Sequence, residues 1–127
     1  MLDTDTVSFA LRGVGDVAEQ LLARRPSAVC VSSLTLAELR FGADRRRSRR
    51  LHRLIDDFIA PLFVAPFNAE AANRFGKLAL ILADSGTPIG QMDTLIGAHA
   101  LALNLTLVTN NARHFGKVRG LRTENWA

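Results

Sequence analysis

Asp93-Thr94-Leu95-Ile96-Gly97-Ala98-His99-Ala100-Leu101-Ala102-Leu103, followed after Asn104 by Leu105-Thr106-Leu107-Val108-Thr109, is the stretch that decides the fold. Its first part has helical length and is apolar nearly all round, which marks a helix buried on every side rather than one lying on a surface. Its second part is a short apolar run of strand length. A buried helix that feeds a buried strand belongs to a parallel sheet covered by helices on both faces.

Reading outward, the same alternation recurs. Met1-Leu2 begins a strand. Residues Asp16 to Arg25 form a predicted helix, with Asp16 as its cap, ending before Pro26. Ala28 to Ser32 is a strand. A helix then starts at Ser33 or Thr35 and runs to about Phe41, where Gly42 can terminate it. An arginine-rich helix continues to Ile59, with Leu51, Leu54, Ile55 and Phe58 at helical spacing. Leu62 to Ala65 is a third strand, Asn68 caps a long helix to about Asp84, and Ser85 to Pro88 is a loop. Asp93 to Leu103 and Leu105 to Thr109 follow, and a short fifth strand lies near Leu121 to Glu124. The expected class is α/β, with one domain over residues 1–127.

Three acids stand in otherwise apolar surroundings, where an unpaired carboxylate is costly. Asp3 ends the first strand, Glu38 lies in Leu36-Ala37-Glu38-Leu39-Arg40-Phe41, and Asp93 opens the buried helix. In a parallel sheet, ligands bind at the carboxyl ends of the strands, and all three acids reach that edge. Brought together they repel one another, and a divalent cation relieves the repulsion. Magnesium or manganese held by carboxylates on a basic chain points to cleavage of phosphodiester bonds. Each acid also has an ordinary reading. Asp3 can cap a turn, Thr35-Leu36-Ala37-Glu38 matches a capping box, and Asp93 can be a helix N-cap. Asp5 is expected to cap the helix after Asp3 or to orient the site.

Composition narrows the field. Apolar residues make up 48% and charged residues 22% of 127 residues, which suits a soluble globular chain. No run is long enough to span a bilayer and no leader pattern is visible, so a cytoplasmic location is expected. Lone Cys30 is expected to be a small core residue, and His99 a core histidine with a satisfied hydrogen bond. Trp126 either anchors the tail or serves an interface. No zinc spacing, P-loop or dinucleotide fingerprint occurs. The net charge is +4, yet Arg40 to Arg53 holds seven arginines against Asp44 alone, so the remainder carries −2. This segment, with Arg40, Arg45, Arg46, Arg47, Arg49 and Arg50, is either a solvated helix face, an RNA-binding surface or a dock for an acidic protein segment. His52 and His114, each beside an arginine, are candidate phosphate contacts.

In these residues the chain resembles the PIN-domain ribonucleases, specifically the VapC-type toxins of bacterial toxin–antitoxin pairs. The resemblance runs through Leu2-Asp3-Thr4-Asp5-Thr6, Leu36 to Gly42, Pro88 to Asp93, Ala98 to Ala102, Leu107 to Asn111 and Gly120 to Trp126. It implies a PIN-like three-layer α/β/α sandwich with a central parallel sheet of four to five strands. It also implies a magnesium-dependent endoribonuclease, with manganese as the alternative ion, that blocks translation by cutting tRNA or mRNA. Asp3, Glu38 and Asp93 match the family's metal-binding acids, with Thr4, Asp5, Thr109 and Asn111 in support. The implied partners are a VapB-type antitoxin, a second toxin copy in a homodimer within a larger hetero-oligomer, and operator DNA reached only through the antitoxin.

Two departures stand out. Asn111 occupies the place of a fourth acid found in many PIN domains, and only Met1 and Leu2 precede Asp3. Two alternatives remain open at this point. Asp3-Thr4-Asp5-Thr6-Val7 fits the nucleophile motif of a haloacid-dehalogenase-like phosphatase, with Thr109-Asn110-Asn111 and Lys117 as further motifs. A non-catalytic RNA- or antitoxin-binding module is the other.

Overall fold

The computed structural model describes residues 1–127. Seven helices and four short strands alternate: α1 (Thr4–Arg12), α2 (Val17–Leu22), β1 (Cys30–Ser32), α3 (Ser33–Arg45), α4 (Arg49–Ile59), β2 (Phe63–Ala65), α5 (Ala69–Asp84), α6 (Gln91–Ala102), β3 (Leu107–Val108), α7 (Ala112–Phe115) and β4 (Thr123–Glu124). β1 pairs with β2 and β3 with β4, both in parallel. Leu2 joins the two pairs, bridging Val31 on one side and Val108 on the other, both in parallel. The strand expected at Met1-Leu2 is therefore a single bridging residue at the centre of the sheet, which has five members in the order β2, β1, Leu2, β3, β4.

The side chains show why the sheet is covered on both faces. Successive residues of a strand point to opposite sides, and the core divides accordingly. Met1, Ala65 and Leu107 pack with Leu78, Leu82, Ile96 and Phe115 of α5, α6 and α7. Leu2, Val31 and Val108 pack with Val7, Val17, Leu39 and Ile55 of α1 to α4. The three-layer α/β/α sandwich follows from this division.

Several local expectations need correction. The helix after Asp3 covers Thr4–Arg12, and its N-cap is Asp3 rather than Asp5, with the Asp3 side chain accepting the Thr6 N–H at 2.9 Å. Asp5 lies inside the first turn and caps nothing. α3 is capped by Ser32, not by Ser33 or Thr35. It also passes through Gly42 to Arg45, because burying Leu39 and Ala43 outweighs the roughly 1 kcal/mol helical penalty of glycine. Asp16 stands at the cap position of α2 without bonding it, and that helix ends at Leu22 rather than Arg25. α6 begins two residues before Asp93, with Gly90 at the cap position in a left-handed conformation (φ 92°). Asp93 is thus a first-turn residue and not a cap. Asn68 caps α5 as expected, accepting the Ala71 N–H. The strands expected at Ala28–Ser32, Leu62–Ala65 and Leu105–Thr109 are shorter at their ends than the apolar runs that suggested them.

Candidate functional site

Asp3 is placed by the sheet and by the helix it starts. Its N–H donates to the Val108 carbonyl at 3.0 Å while its carboxylate caps α1, so the residue is 5% exposed at the carboxyl edge of the sheet. Burial pushes its carboxyl above the usual aspartate range, and hydrogen bonds from Thr109 and Thr6 only partly offset this. The nearby charge of Asp5 pushes in the same direction as burial.

Glu38 sits in the second turn of α3 and accepts the Thr4 hydroxyl at 2.5 Å, bringing α1 and α3 together at this edge. It does not close a capping box, since Ser32 caps that helix. Burial raises its carboxyl most, followed by the like charges of Asp93, Asp5 and Asp3, with the Thr4 hydroxyl opposing. Four acids from three distant segments therefore share one electrostatic field.

Asp93 Oδ2 is held by His114 Nδ1 at 2.9 Å and by Asn111 Nδ2 at 3.2 Å. One ring nitrogen cannot both donate to Asp93 and accept from Asn111, which also approaches it at 2.8 Å. A proton on His114 Nδ1 gives Asp93 a donor from each residue. His114 is thus a supporting group of the acid cluster, a role its sequence position beside Arg113 did not suggest. The backbone N–H of Asn111 donates to Thr109 Oγ1 at 2.9 Å, fixing the turn that carries Asn111. His52 belongs elsewhere. It bridges Asp44 at 2.7 Å and Arg40 at 2.9 Å, and Arg40 also pairs with Asp56, so this network ties α3 to α4.

His99 is 1% exposed and bonded to Ser32 Oγ at 2.8 Å, with Phe67 edge-on to its ring. Burial lowers its pKa and keeps it neutral, with the Pro66 carbonyl pulling the other way. It is a core residue of the kind expected. Lys117, which a phosphatase would need beside Asp3, instead lines a groove with Arg74, Lys77 and Arg119 in which no site acid takes part.

No three carboxylate, imidazole or thiol groups form a ready-made metal cage. The donor chemistry nevertheless fits a hard cation, being carboxylate oxygen throughout. The bonds described engage Glu38 Oε1 and Asp93 Oδ2, leaving Glu38 Oε2 and Asp93 Oδ1 for a ligand. Beside the acids opens a groove of about 330 Å³, with Thr4, Asp5 and Glu38 at one end, Leu11, Leu39, Leu51 and Ile55 along its wall, and Arg12 and Arg46 beside it. Arg45, Arg47, Arg49 and Arg50 are exposed around the turn between α3 and α4.

A family model for the PIN domain matches residues 1–121. The tRNA(fMet)-specific endonuclease VapC of Salmonella typhimurium is 35% identical over 127 residues, covering 99% of this chain and 96% of that protein. Ribonuclease VapC2 of Haemophilus influenzae is 36% identical with the same coverage of both chains. Among solved structures, VapBC2 from Rickettsia felis bound to a promoter DNA fragment superposes with a TM-score of 0.92 at 32% identity, covering 100% of this chain and 98% of the other. DNA-bound VapBC from Salmonella typhimurium gives 0.90 at 35% identity, covering 100% and 97%. Relatives named as ribonucleases favour neither the phosphatase nor the binding-only alternative.

Proposed function

This chain belongs to the PIN domain family, and from that membership we propose that it is a VapC-type endoribonuclease toxin that depends on a divalent cation and is restrained by a VapB-type antitoxin. The observation that carries the reading is the shared field of Glu38, Asp93, Asp5 and Asp3 at the carboxyl edge of the sheet. Keeping four carboxylates this close is costly, and a cation makes the arrangement favourable. Asp3, Glu38 and Asp93 would hold magnesium or manganese. The bound ion supplies Lewis acidity and neutralises charge that develops on the phosphorus.

The chain's own groups do the rest. Glu38 would reach the ion through the attacking water and take that water's proton at Oε2, a task suited to a carboxyl raised by burial and by its neighbours. Thr4 orients Glu38, while His114 and Asn111 orient Asp93. Such orientation matters because a site held loosely loses much of its catalytic advantage. By analogy with its relatives the substrate is tRNA, and loss of tRNA is the route by which translation would stop.

The antitoxin reading uses the groove beside the acids. A partner segment with apolar side chains on Leu11, Leu39, Leu51 and Ile55 would lie across Thr4, Asp5 and Glu38 and so cover the site. Arg46 and the exposed arginines of the turn would meet acidic residues of that partner.

The test is cleavage of tRNA by purified protein with added magnesium. Asp3→Asn and Asp93→Asn should each reduce the rate by more than about 100-fold, beyond the usual cost of losing a supporting partner. Undiminished cleavage by both variants would defeat the proposal.

A further inference from the structure

A second groove, of about 290 Å³, lies between α5, α6 and the segment after α7, on the opposite face of the sheet from the arginine-rich turn. Arg74, Lys77, Lys117 and Arg119 line it together with Leu78, Ile81 and Leu101, and no acid is among its lining residues. Lys77 and Lys117 are the only lysines in the chain. All four cations are exposed, and none takes part in an ion pair. Unpaired like charges repel, so their convergence on one groove is unfavourable until an anion enters.

The groove is continuous with the site along the backbone. α7 holds His114 against Asp93, and the Lys117 N–H donates to the His114 carbonyl at 3.2 Å. On α5, Arg74 and Lys77 are three residues apart and therefore on one face. The arginine-rich turn lies on the other face of the sheet, and one of its cations is already engaged. Arg40 is committed to His52 and Asp56, and Asp44 holds the other side of His52.

We infer that the groove between α5, α6 and the segment after α7 binds the phosphate backbone of the RNA substrate on one side of the cleaved bond. It thereby gives the chain its main electrostatic grip on RNA, while the arginine-rich turn faces the protein partner. This assignment rests on the ribonuclease reading. Buried Leu78 supplies an apolar wall beneath the cations, and four cations with no acid among them suit contact with a run of phosphates.

The test is binding of a fluorescently labelled tRNA transcript in EDTA, where affinity is read without cleavage. The result therefore stands whether or not the wild-type chain cuts that RNA. Lys77→Glu/Lys117→Glu should weaken binding by on the order of tenfold or more. Its salt dependence should flatten by about 1.4 to 1.8 in log–log slope, the release expected from two lost phosphate contacts. The milder Lys77→Gln/Lys117→Gln should show the same flattening, so the outcome does not depend on the reversed charges being tolerated by the fold. Arg25→Glu/Arg53→Glu serves as the charge-matched control. Equal losses in the control would mean that only overall charge matters, and would overturn the assignment. Unchanged RNA affinity, with or without loss of binding to the antitoxin protein, would overturn it as well.

Discussion

Replacing Asp3 by asparagine should stabilise the fold while abolishing the chemistry. Asp3 is 5% exposed, and burial raises the pKa of its carboxyl above the ordinary value of 3.8. Between that value and the raised one, the native state holds more protons than the unfolded chain. Stability is therefore fully present below the ordinary value and is lost as pH rises through the folded one. Asparagine removes this loss. It also keeps the Oδ1 that accepts the Thr6 N–H, and Asn and Asp are equivalent N-caps. Asp3→Ala removes the charge too but forfeits the cap, at about 1 kcal/mol. The alanine variant should thus melt roughly 3–5 °C below the asparagine variant at this chain length. Thermal melts followed by circular dichroism in EDTA, from acid to neutral pH, give both comparisons. At neutral pH the asparagine variant should melt highest, and its lead over wild type should vanish in acid. Saturating magnesium should reverse the order, because an ion present at a hundredfold excess over its Kd adds about 2.7 kcal/mol to whichever chain binds it. An asparagine variant that melts below wild type at neutral pH in EDTA would refute the reasoning, since the buried charge would then be no burden.

Thr4→Val removes the hydroxyl that favours ionised Glu38, so the acidic limb of the pH–rate profile should move to higher pH; a limb that stays in place would separate Glu38 from proton transfer. His114→Ala frees Asp93 from its imidazole partner and should lower tRNA cleavage by about 10–100-fold, measured at saturating magnesium. Asn111→Asp adds a further acid beside Asp93, so it should tighten magnesium binding in calorimetry and lower the melting temperature in EDTA. Arg47→Gly should stabilise the chain by about 1 kcal/mol in urea unfolding, because Arg47 holds a left-handed φ of 51° that glycine adopts without a Cβ clash.

How much of this was legible in the sequence varies by element. The long helix α5 and its Asn68 cap were readable because cap, apolar stripe and loop all agree locally. α1 was not. Thr4, Thr6 and Val7 are poor helix formers, and the helix exists because Asp3 caps it, Thr6 Oγ1 donates to the Val108 carbonyl at 3.1 Å, and Val7 is fully buried. Those partners are distant in sequence, so propensity could not reveal them. The capping-box pattern at Thr35 misled for a related reason: it holds locally, but the sheet delivers Ser32 to the cap first. The role of His114 stayed hidden because its partner Asp93 lies 21 residues earlier and meets it only after β3 has turned the chain back to the same edge. The arginine cluster was visible as charge, while the division between a committed Arg40 and its exposed neighbours required the α3–α4 contact.

The acids could be singled out from sequence because the fold leaves them little freedom. Leu2 alone joins the two halves of the sheet, and Asp3 is the next residue. The backbone around Asp3 is fixed by the Leu2 N–H on the Cys30 carbonyl at 2.9 Å and by its own N–H on the Val108 carbonyl at 3.0 Å. Its side chain is fixed by the helix it caps. A residue that closes the sheet, starts a helix and carries a buried charge tolerates few substitutions on structural grounds alone. Asparagine meets the first two demands, and only the third separates it from aspartate. A cation-dependent reaction is the one role described here that needs the charge itself, which is why the stability order with and without magnesium discriminates so sharply between a structural Asp3 and a catalytic one.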